Sequence, residues 1–123
     1  MYSYKELEVW KQSIVLVELI YQLTKNFPEE EKSSLSSQLQ RSAVSIPSNI
    51  AEGWGRLTTS DYIHFLVIAR GSLLELETQI IIANKLNYIN ELQVNQLQNQ
   101  LDAIGKMLNA MIKTLRAKKS AIP

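Results

Sequence analysis

The residues best equipped for chemistry lie in one stretch, Gln38 to Arg56 (QLQRSAVSIPSNIAEGWGR), where Gln38, Ser42, Ser45, Ser48, Asn49 and Glu52 interrupt an apolar helical pattern. At three- and four-residue steps, hydroxyls, an amide and a carboxylate fall on neighbouring positions of a helix surface. Such a set could hold a substrate or move a proton, or it could close a seam between helices by hydrogen bonding. Further along, Glu75 and Glu77 stand among apolar residues. With Glu52 they could form an acid pair with displaced pKa values. Alternatively they accept hydrogen bonds from Arg41, Arg70, Ser or Asn side chains and fix the register of two helices, as carboxylates withdrawn from water must. The second reading is preferred, because no pocket motif or cofactor signature accompanies them. It assigns a structural polar seam to Gln38, Ser42, Ser45, Asn49, Glu52, Ser72, Glu75 and Thr78.

His64 is the one histidine and has no carboxylate three residues before it, so the Glu-x-x-His pairs of a di-iron bundle cannot form. No cysteine and no G-x-S-x-G elbow offers a nucleophile. These features predict a protein that is not an enzyme and uses no metal or other cofactor. Basic residues offer a different chemistry. Lys113, Arg116, Lys118 and Lys119 gather toward the C-terminus and, with Arg41, Arg56 and Arg70, form the candidate nucleic-acid-binding set. The competing reading is that cations there complement a helix dipole and are otherwise solvated.

The elements that must position these groups are helical. Apolar residues make up 46% of the 123-residue chain while Gly and Pro number only 4 and 3, a composition suited to one ordered helical domain. Thirteen basic against twelve acidic residues leave a net charge of +1, so nucleic acid would have to be drawn by a local patch. The N-terminal charges and the shortness of every apolar run predict no signal peptide and no membrane partner; the lack of cysteine fits a cytoplasmic address.

Four helices are expected, near residues 4–25, 34–54, 60–86 and 91–116, in an all-α, antiparallel up-down-up-down bundle. Residues 1–116 would form the domain and 117–123 a frayed tail. Ser3 with Glu6 and Asn90 with Gln93 read as capping boxes, Ser33 or Ser34 and Thr58 or Thr59 as caps. Pro47 should kink the second helix, and Gly53 and Gly55 should end it with positive-φ geometry. In the first helix Leu7, Trp10, Ile14, Val17, Tyr21 and Thr24 form a stripe, but Val9, Val15, Leu16 and Leu19 extend the apolar surface well beyond it. The second helix presents Leu39, Ala43, Ile46 and Ile50 on one face, and the fourth repeats Leu97, Leu101, Ile104, Leu108, Met111 and Leu115 in four-three alternation. The third shows two apolar faces, one through Phe65, Ala69, Ser72, Leu76, Ile80 and Ala83, another through Ile63, Leu66, Val67, Leu74 and Ile81. Such doubled faces predict a homo-oligomer.

The segments YKELEVWKQS, KNFPEEE, SQLQRSAVSIPSNIAEGWGR, FLVIARGSLLELETQ and IGKMLNAMIKTL together resemble the four-helix-bundle proteins encoded in intervening sequences of bacterial 23S ribosomal RNA genes. SIPSNIAEG, Ser45 to Gly53, is the most specific part, supported by Gly71, Ser72, Glu75 and Thr78. That family is similar to the accessory protein of diversity-generating retroelements. The resemblance implies a barrel-shaped homopentamer and, as partners, RNA or DNA or a reverse-transcriptase-like protein. The nearly balanced charge departs from the retroelement type. Two functions follow as expectations: a non-enzymatic homo-oligomeric scaffold that binds nucleic acid or a nucleic-acid-processing partner, or a structural or protein-interaction oligomer with no nucleic-acid role.

Overall fold

The computed structural model of the protein describes residues 3–120. Among them are four α-helices, α1 (Glu8–Thr24), α2 (Leu35–Trp54), α3 (Thr59–Lys85) and α4 (Glu91–Ser120), and no strand.

Helix ends follow local chemistry, in places differently from the sequence reading. Ser3 Oγ does accept from Lys5 N–H (3.1 Å), but this closes only a 3-10 turn, Tyr4–Glu6. Leu7 then becomes extended (φ −68°, ψ 127°), so α1 starts at Glu8 rather than near residue 4. Ser34 occupies the cap position of α2 but its side chain makes no capping bond; Glu31 Oε1 accepts the Leu35 N–H instead, at 3.3 Å. Thr58 Oγ1 caps α3 through the Asp61 N–H (3.1 Å), as expected. Asn90 and Gln93 form the expected reciprocal box, both bonds 2.9 Å. Asn87, in the turn before it, has φ 64°. α4 continues past Arg116 to Ser120, so the part of the expected frayed tail that lies within the described residues is helical; residues 121–123 lie outside them.

Neither Gly53 nor Gly55 has positive φ, which corrects the expected role of both. Gly53 is instead buried where α2 meets α3. A Cβ there would lie 2.9 Å from Phe65 Cβ and 3.1 Å from the Tyr62 carbonyl oxygen, so the missing side chain permits the close approach. α2 runs unbroken through Pro47, which is itself buried.

Cross-helix contacts give the directions. Glu77 bonds Gln98 while Arg70, earlier on α3, bonds Asn109, later on α4. Ser45 bonds Ser72 while Gly53, later on α2, meets Phe65, earlier on α3. Thr24 bonds Gln40 while Tyr4 meets Trp54. Each neighbouring pair is therefore antiparallel, and α1 sits diagonally across the bundle from α3.

The core takes Leu39, Ala43, Ile46 and Ile50 from α2, as expected. From α1 it takes Val9, Ser13, Leu16, Ile20 and Thr24; of the expected stripe only Thr24 is buried, while Leu7, Trp10, Ile14 and Val17 are half-buried and Tyr21 is exposed. On α4 the expected Leu97, Leu101, Ile104 and Leu108 are buried, but Ile112 replaces Met111 at the next position. A straight helix of 3.6 residues per turn drifts off a strict seven-residue repeat, and the buried line drifts with it. On α3 the buried set merges the two predicted faces: Ile63 and Leu66 join Ala69, Ser72, Leu76 and Ile80.

Candidate functional site

The polar seam exists in a smaller form than the sequence suggests. Ser45 Oγ and Ser72 Oγ lie 2.7 Å apart across α2 and α3, and Asn49 Nδ2 donates both to Ser45 Oγ (2.9 Å) and to the Ser45 carbonyl (2.8 Å). Ser72 Oγ also reaches the Ile68 carbonyl at 3.2 Å, and Ser42 is buried one turn away. Every partner is another residue of the two helices, and no arginine enters. The cluster is neutral and self-satisfied, so it can fix register but has no titrating group.

Gln38, Glu52, Glu75 and Thr78 are exposed and stand outside the seam. Thr78 Oγ1 donates to the Leu74 carbonyl in its own helix (2.9 Å). Glu52 pairs with Arg56 at 3.7 Å on the surface, the one ion pair among the described residues. Glu77 accepts from Gln98 Nε2 (2.7 Å), which also donates to Asp102 Oδ1 (2.9 Å). The three carboxylates considered for an acid pair therefore bond separately or face water. Helical spacing could not separate inward from outward carboxylates on helices apolar nearly all round.

The candidate cations divide. Lys113, Arg116, Lys118 and Lys119 are exposed on the last turns of α4. Arg56 lies at the same end of the bundle, its guanidinium carbon 4.6 Å from the centre of the Phe65 ring. There Tyr62 and the α4 residues Met111, Thr114 and Leu115 line an apolar recess, and burial raises the Tyr62 pKa above 10.0. Arg70, midway along α3, donates to Asn109 Oδ1 (3.1 Å), and Arg41 is exposed midway along α2. Neither joins the cluster within one chain.

Two features escaped the sequence reading. Tyr88 donates to Glu31 Oε2 (2.8 Å) while its ring packs on Phe27, tying the α3–α4 turn to the segment before α2. The hydrogen bond to Glu31 is the main cause of a raised Tyr88 pKa. A contact between residues so far apart in sequence leaves no local signal. The second is the outward side of α3. Ile68, Leu74, Ile81 and Ile82 are 37%, 57%, 45% and 43% exposed, and Gly71 lies among them with nothing within 4 Å of where its Cβ would be. Of the predicted second face, Leu74 and Ile81 stand here; Ile68 and Ile82 were the members missed, although the same apolar spacing contained them.

Fold and surface together define a small all-α bundle with a structural polar seam, one uncovered apolar helix face and a basic helix end. Residues 5–110 match the 23S rRNA-intervening sequence protein family, and the chain belongs to that family. It is similar in structure to a protein of unknown function from the S23 ribosomal protein family of Bacteroides thetaiotaomicron VPI-5482. The TM-score is 0.79 at 30% identity, covering 85% of this chain and 95% of that one. No curated protein matches the sequence. Neither the family's description nor the neighbour's names a reaction. Among the described residues no helix is long and apolar enough to cross a membrane.

Proposed function

We propose that the chain is the subunit of a cytoplasmic, non-enzymatic, homo-oligomeric helical scaffold. Through the basic end of α4 it binds RNA or DNA, or a nucleic-acid-processing protein of the reverse-transcriptase kind. The observation that carries the proposal is the uncovered side of α3. Four large aliphatic residues facing water along one helix are costly to leave solvated, and a second protein surface is their usual cover. A pentamer is the assembly that the family resemblance implies. Repeating the cluster of Lys113, Arg116, Lys118 and Lys119 around an assembly would multiply weak phosphate contacts, which offsets the near-neutral charge of the single chain.

Light scattering at micromolar concentration should give a multiple of the 14.0 kDa subunit mass. Binding to structured RNA and duplex DNA should weaken steeply with salt, and Lys118→Ala with Lys119→Ala should flatten that dependence. A monomer would remove the scaffold. An oligomer that binds neither nucleic acid at low salt would leave the protein-interaction reading, which the net charge of +1 favours.

A further inference from the structure

The uncovered side of α3 has a counterpart on the same chain. Between α1 and α2 runs an open groove of about 280 Å³ whose walls include Trp10, Ile14, Val17, Val44 and Pro47. α3 sits diagonally across the bundle from α1, so ridge and groove face different ways and one chain cannot satisfy both by itself.

We propose that the outer face of α3 in one copy seats in the α1–α2 groove of the next, with the two bundles side by side and pointing the same way. This rests on the homo-oligomer reading above and names the two surfaces that would make it. The levels of the residues support it. Ser45 and Ser72 are hydrogen-bonded and so share a level along the bundle. Gly71 and Val44 are their immediate chain neighbours, so a copy related by rotation about an axis parallel to the helices brings the open notch of Gly71 level with the partly exposed Val44. One turn further in the same direction come Glu75 on α3 and Arg41 on α2, because these helices are antiparallel. Both are exposed, and neither forms an ion pair among the described residues. The same displacement thus matches shape at one level and opposite charge at the next. The contact joins two different patches, so it is heterologous and passes from copy to copy until a ring closes.

The decisive experiment mixes two variants. Leu74→Glu spoils the ridge and leaves the groove; Val44→Glu spoils the groove and leaves the ridge. Each alone should be monomeric by light scattering, with helical circular dichroism unchanged. Mixed one to one they should form a dimer of twice the subunit mass that grows no further, since one good ridge meets one good groove. A mixture that stays monomeric beside an oligomeric parent overturns the inference and leaves the scaffold reading standing, as does either variant assembling like the parent. A monomeric parent overturns both. If either glutamate variant fails to fold, charge exchange gives a second test: Arg41→Glu and Glu75→Arg should each weaken assembly at least tenfold, and together in one chain restore it. Failure of that restoration also overturns the inference.

Discussion

Gly53 near the end of α2 and Gly71 near the middle of α3 both have ordinary negative φ, yet their surroundings are opposite. A Cβ on the first would meet Phe65 Cβ at 2.9 Å; a Cβ on the second would meet nothing within 4 Å. The α2–α3 contact is closed, filled to the last atom and stitched by Ser45, Asn49 and Ser72. The far side of α3 is open, apolar and unfilled. A helix tolerates glycine at a cost of about 1 kcal/mol relative to alanine, so each position needs a reason. For Gly53 the reason lies inside the chain, and for Gly71 it must be sought outside.

The largest effect should come from filling the closed side. Gly53→Ala forces a methyl against a Cβ and a backbone carbonyl, neither of which can swing away. Overpacking of about 1–3 kcal/mol should outweigh the helix-propensity gain, lowering the melting temperature by several degrees at fixed protein concentration. An unchanged or raised melting temperature would show that the two helices separate easily, and the contrast with Gly71 would disappear.

Asn49→Ala tests the stitching rather than the packing. It removes the donor to Ser45 and leaves the Ser45–Ser72 bond, so a loss of about 1 kcal/mol in urea unfolding is expected, with nucleic-acid binding unchanged. Binding lost at full stability would instead move Asn49 from the seam to a contact surface.

These two positions also show what the sequence could disclose. The α2 core, the Thr58 cap and the Asn90–Gln93 box were legible because each depends on residues within a turn or two of each other. Asn49 and Ser45 were legible as polar exceptions inside an apolar pattern, and Ser72 through the family motif. Gly53 was misread because a glycine near a helix end has two explanations, positive φ and close packing, and only the position of α3 separates them. Glu52, Glu75, Gln38 and Thr78 were misplaced because three- and four-residue spacing gives a phase but not which phase faces inward. On α3, where almost every face is apolar, that ambiguity is greatest. It hid the uncovered side while correctly suggesting that one exists.

Gly71→Ala should act with the opposite sign to Gly53→Ala in the isolated chain. With free space around it, the added methyl should raise the stability of a monomeric background such as Leu74→Glu by about 0.5 kcal/mol. In the assembling protein the same methyl would enter the notch opposite Val44 and shift dissociation to higher concentration in a dilution series. Equal assembly by both proteins would mean that nothing approaches this glycine closely.

The smallest effect is expected at Glu52, one turn beyond Asn49 and already outside the closed contact. Its partner Arg56 lies 3.7 Å away, and their side chains are 56% and 43% exposed, so water and salt screen most of their attraction. Exposed pairs of this kind contribute about 0–1 kcal/mol, and Glu52→Ala should fall at the bottom of that range. Arg56 would keep its place over Phe65, since that contact does not depend on the carboxylate. Removing a negative charge beside it should make this end of the bundle more attractive to phosphate, so nucleic-acid affinity at low salt should rise slightly rather than fall. A loss of stability as large as that of Asn49→Ala would extend the closed contact one turn further and place Glu52 inside the seam after all.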